Sequence, residues 1–323
     1  MQKQPHDANP PSPLLALNAV LQSIESVRNG RALYLLLLTF AVSGLLLGLA
    51  NPALASGNMA AAAGWMGAAF IGVFYGTSAA GLVVMDEALG KPRRAPLVAL
   101  RDALALGHRL LLVVLVVLIA ALVPVLVVTA LLFATKLPGL GPTLMGPTVA
   151  LAVPLLGLVA LVLTTLVAPI AAPAVWCGLS TRNSLAMIVR QVRRRPAHAV
   201  MLSAAVSLLT AAVAGLVSFV VLAGGRAVLA LAVSLAGLDL AADPFMAALF
   251  GTGLRAAPSA PAWSALTSAA MSGAGMVFAL GLVVPGVVYL RGVCELFISL
   301  RRLDDAATTA TPVLAKAGLG LQP

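Results

Sequence analysis

Asp86 and Glu87 are the closest this sequence comes to a paired carboxylate. Two carboxylates that converge on one atom can share general acid and base roles. Neighbours on a helix point about 100° apart, so these two do not converge. Lys91, Arg93 and Arg94 follow closely and are placed to neutralise them. The expectation is a structural ion-pair cluster, with no catalytic residue.

Other chemistry finds few residues to carry it. His6, His108 and His198 stand alone, without ligand partners at helical spacing, so no metal is expected. Cys177 and Cys294 form no Cys-x-x-Cys or Cys/His pattern and read as small apolar residues near helix ends. No phosphate-binding Gly-x-x-x-x-Gly-Lys loop, His-Glu-x-x-His or Gly-x-Ser-x-Gly element occurs. No cofactor and no enzymatic activity are therefore expected. Arg190, Arg193, Arg194 and Arg195 form the densest charge run, and such clusters attract anionic lipid head groups.

The elements that must position these residues are set by composition. The chain has 323 residues, 61% hydrophobic and 9% charged, with a mean hydropathy of +1.06. A soluble domain is about 25% charged, so part of this chain's solvent must be lipid. The formal charge of +10 would suggest nucleic acid in a soluble protein. Here the charges sit in short segments between apolar runs, which points to a membrane surface and away from nucleic acid.

The fold class expected is an all-α polytopic membrane protein with six transmembrane helices. About 20 apolar residues cross a bilayer, and the spans fall at 32–50, 61–85, 110–135, 148–172, 199–223 and 266–290. Residues 1–12 are polar and Pro-rich and read as disordered, 13–303 as one membrane domain, and 304–323 as a flexible tail. With the N-terminus inside, all Lys and Arg except Lys136, Arg226 and Arg255 lie on the cytoplasmic side. The positive-inside rule then places both termini in the cytoplasm of an inner-membrane protein. The first span ends in an Ala-x-Ala pattern but is long for a cleaved signal peptide. The apolar stretch 227–238 is too short to span and reads as interfacial or re-entrant.

A unit of amphipathic helix, span, span recurs three times, with the amphipathic helices at 14–28, 96–106 and 184–194. Repeats of this kind occur in transporters. The spans, however, bury no Asp, Glu, Lys, Arg or His in their central parts, which disfavours an ion-coupled pump. Hydroxyls remain, and Thr77, Thr164 and Ser218 are the candidates for a substrate path. Pro124, Pro154, Pro169 and Pro285 interrupt spans and are expected to kink them. Gly64, Ala68, Gly72, Gly76 and Ala80 form a small-residue ridge for helix packing, with a homo-oligomer interface as the alternative.

The stretch from Gly81 to Asp86-Glu87 with its basic loop, and Ala172-Pro173-Ala174-Val175-Trp176 ahead of an arginine-rich helix and Arg195-Pro196, carry a loose resemblance. The chain resembles uncharacterised bacterial six-span membrane proteins similar to the membrane region of glycerophosphodiester phosphodiesterases. The resemblance implies a membrane location and not the phosphodiesterase, whose soluble catalytic domain has no counterpart here. The expected function is a non-enzymatic, lipid- or envelope-associated membrane protein. The alternative is a permease-like protein passing an apolar or amphipathic solute without ion coupling.

Overall fold

The computed structural model describes residues 22–92, 94–136, 141–194, 196–235, 242–250 and 265–316. Residues 1–12 and most of the first amphipathic segment lie outside them. The described chain is all-α. After a 3-10 turn (Gln22–Arg28) come α1 (Gly30–Ala55), α2 (Met59–Ala88), α3 (Pro96–Ala134), α4 (Gly141–Val162) and a π turn (Leu163–Val167). The chain continues through α5 (Ala168–Trp176), α6 (Thr181–Arg194), α7 (Pro196–Ser234), α8 (Ala242–Leu249), α9 (Ala265–Gly281) and α10 (Val283–Lys316). Among the described residues six stretches are long and apolar enough to cross a membrane, one for each predicted span. This is an all-α polytopic membrane protein.

The chain divides into two compact units. One comprises Ser23–Leu104 and Ser207–Arg291. Its core is the seam between α1 and α2. Ala32, Leu35, Leu36, Thr39 and Ser43 make a buried stripe on α1 at helical spacing. They meet α2, which is buried at every residue from Ser78 to Asp86. Close approach depends on Gly76, because a Cβ added there would fall on the Thr39 side chain, 2.8 Å from its Cβ. Thr39 cannot easily move away, since its hydroxyl donates to the Leu35 carbonyl at 2.6 Å. Gly72 sits opposite Ser43 in the same way. α9 packs on α1 and on the short α8.

The other unit comprises Ala105–Val206 and the chain from Gly292 onward. Here α6 folds back on α5 and the π turn, burying Ser184, Met187, Ile188 and Gln191 on one face. The π turn has a local cause. Pro169 has no N–H, and its ring would crowd the carbonyl four residues back. A wider turn relieves the crowding, and Ala168 donates instead to Leu163, five residues earlier. α10 meets α7 at Gly292, where an added Cβ would lie 2.7 Å from the Val206 side chain.

The sequence reading differs from the structure at five places. The 96–106 segment is not a separate helix but the first part of α3, because Gly107 weakens a helix without ending it. The 227–238 stretch is not re-entrant up to Ser234 but continues α7 through Gly224 and Gly225. Residues 22–28 form a 3-10 turn, where an α-helix was expected. The sixth span is broken at Leu282, where α9 ends shortly before Pro285. The stretch after 303, read as a tail, is helical to Lys316.

Gly76→Ala is expected to destabilise the protein by about 1–3 kcal/mol by overpacking the α1–α2 seam. Adding Thr39→Ala should recover most of that loss. Gly64→Ala, with no neighbour within 4 Å, should change stability by no more than about 0.5 kcal/mol. Thermal unfolding in detergent reads all three.

Candidate functional site

The carboxylates of α2 lie in a polar junction built from three helix ends. α2 closes with Gly90 at φ 68°, where Gly90 N–H donates to the Glu87 carbonyl and Lys91 N–H to that of Asp86. These two bonds make a Schellman turn, whose left-handed residue suits glycine. The chain then reverses and brings Arg94 back beside Asp86.

Asp86 is buried, with 4% of its surface exposed. The Arg94 Nε lies 2.8 Å from Asp86 Oδ2, and Arg94 Nη2 donates to Oδ1 at 3.2 Å. The third nitrogen, Nη1, donates to Asp102 Oδ2 at 2.9 Å. One guanidinium therefore grips a carboxylate from α2 and another from α3, using the rigid fork that arginine provides. Glu87 points elsewhere, as adjacent helical positions require, and accepts from Asn29 Nδ2. Asn29 also caps α1, its Oδ1 accepting from Ala32 N–H at 3.2 Å. Arg31 donates to the Arg94 carbonyl at 3.2 Å.

This arrangement ties helices together and leaves both aspartates occupied by the same cation. Of the three basic residues expected to neutralise the carboxylates, Arg94 does so. Lys91 is exposed, and Arg93 lies outside the described residues. Asn29 and Asp102 were not singled out from the sequence. Asn29 could have been, as a helix-capping type ahead of Gly30-Arg31. Asp102 carries no such signal, because its partner arrives only through the reversal at Gly90.

The basic run lies on α6. Met187 and Ile188 are buried, while Arg182, Arg190 and Arg193 are exposed. Arg190 makes a 3.4 Å ion pair with Asp304 of α10. Arg194 is the last residue of α6, and Arg195 lies outside the described residues. Nearby, Arg301 donates to the Cys177 Sγ at 3.1 Å. Cys177 and Cys294 are both free thiols.

Two of the three hydroxyls of the expected path bond within their own helices. Thr77 donates to the Val73 carbonyl at 2.6 Å, and Thr164 to that of Ala160 at 2.8 Å. Thr164 belongs to the second unit, and Thr77 and Ser218 to the first. Ser218 lines an apolar cleft that Thr77 does not reach. On the small-residue ridge Gly72, Gly76 and Ala80 face the α1 seam or are buried, Ala68 is half-buried, and Gly64 is exposed. Among the described residues no three His, Cys, Asp or Glu side chains gather to hold a metal. Comparison with protein-family models, with curated proteins and with solved structures found no match.

Arg94→Ala strands a buried carboxylate and is expected to cost about 3 kcal/mol, the low end for breaking a buried pair because the guanidinium is partly exposed. Arg94→Lys should rescue little, since a point charge cannot span both aspartates. Asp86→Asn in the Arg94→Ala background should restore part of the stability. Thermal unfolding of the purified chain measures the series.

Proposed function

We propose that this chain is a multi-pass inner-membrane protein with both termini cytoplasmic, non-enzymatic, and associated with lipids through the arginines of α6. The observation that supports this reading is the division of labour on α6. Met187 and Ile188 are buried on the side that packs toward α5 and the π turn. Arg182, Arg190 and Arg193 are left exposed at the basic end of the spans. Head groups of anionic lipids are the ligands such a surface suits, at about 1 kcal/mol per arginine.

The ion-pair junction supports the non-enzymatic part, because its carboxylates are engaged by Arg94 and Asn29. The loose likeness to the membrane region of phosphodiesterases adds only the membrane setting. A permease-like role draws less support, since Thr77 and Thr164 give their protons to carbonyls of their own helices.

The full chain in nanodiscs should bind anionic over zwitterionic lipid. Arg182→Ala with Arg193→Ala should weaken that preference by roughly fivefold per arginine. An unchanged preference would remove the lipid reading. A reporter fused after Pro323 should be active only on the cytoplasmic face, and activity on the other face would overturn the orientation.

A further inference from the structure

The cleft at Ser218 carries an inference independent of the arginines. It is a small, half-open cleft of about 50 Å³ where α7 passes the break in the sixth span. Val217, Ser218 and Val221 form its α7 wall, and Gly281 and Pro285 its opposite wall. The two walls are close, since a Cβ added at Gly281 would lie 3.5 Å from the Val217 side chain and 3.7 Å from that of Val221. Leu249, at the end of α8, closes one end, held against Gly225 and packed with Phe245 and Ala274.

Two polar groups border this apolar space. Pro285 has no N–H to offer the carbonyl four residues back, which is that of Gly281. Ser218 differs from several threonines of the spans. Thr129 and Thr164 each donate to the carbonyl four residues earlier on their own helix, and no such bond forms at Ser218. The site is also deep. Ser218 lies eight residues from Arg226 on α7, about 12 Å along the axis. A hydroxyl and a carbonyl at that depth gain from any partner that arrives with matching groups.

We infer that the cleft binds a lipophilic alcohol, a hydrocarbon body carrying one hydroxyl. The body lies along the apolar walls of the half-open cleft. The hydroxyl accepts from Ser218 and donates to the Gly281 carbonyl, the two roles that a single O–H group combines. A plain alkane fills the same space without these bonds.

The test uses the full chain in nanodiscs, with 1-decanol and decane as probes and thermal stabilisation as the readout. Decanol is expected to stabilise the protein and decane to do so much less. Ser218→Ala should weaken the decanol response by roughly fivefold, the worth of one hydrogen bond. Pro285→Ala returns an N–H to Gly281 and should weaken it similarly. Leu208→Ala, on the same helix but outside the cleft, should leave it unchanged. Equal responses to decanol and decane, or an undiminished decanol response in Ser218→Ala, would overturn the proposal. An undiminished response in Pro285→Ala would overturn the part assigned to Gly281.

Discussion

A polar group inside hydrocarbon has only its own chain to bond with, and that constraint arranges the rest of this protein. Each span is a helix because the helix satisfies its backbone internally. Thr39, Thr77, Thr129, Thr164 and Thr165 obey the same rule, handing their protons to carbonyls one turn earlier. Charge is displaced to the helix ends, where it becomes available for structure. The junction of Arg94 with Asp86 and Asp102 is the product, joining α2 to α3 at their basic ends. Its energy comes from a partly buried ion pair, which is a strong tie only because both partners are present.

Packing follows the charges more than the spans. The most apolar stretches of α3, of α4 through α5, and of α7 are only 11%, 11% and 6% buried. Such helices present most of their side chains to lipid, and van der Waals contact with acyl chains replaces contact with protein. The buried residues gather instead toward the basic ends, in the α2 run ending at Asp86 and in α10 from Leu296 to Leu300. Small residues admit the closest approaches, as at Gly76 against Thr39 and Gly292 against Val206.

Much of this was legible in the sequence. Long apolar runs have one physical meaning, so all six spans could be read. The seam residues Gly72 and Gly76 could be read from their spacing. Helix ends were harder, because Gly107 and Gly224-Gly225 look like breaks, yet a lone glycine costs a helix only about 1 kcal/mol. The break at Leu282 lay close to Pro285, where a kink was expected. The junction was half visible: Asp86, Glu87 and Arg94 are neighbours in the chain, while Asn29 and Asp102 arrive through tertiary folding. Thr77 and Thr164 turn out to be bonded within their own helices, a local choice that residue type alone does not reveal.

The π turn at Leu163–Val167 has a consequence for angular phase. An extra residue in one turn sets the helix behind it out of step with the helix ahead by about one residue's rotation, near 100°. Upstream, residues such as Leu158 and Leu161 lie open, while Ile170, Ala174 and Val175 beyond the turn are buried. The single apolar run from 148 to 172 thus encodes two differently aimed surfaces. Removing one residue from the turn would keep the hydropathy profile intact and still swing the Trp176 end away from α6.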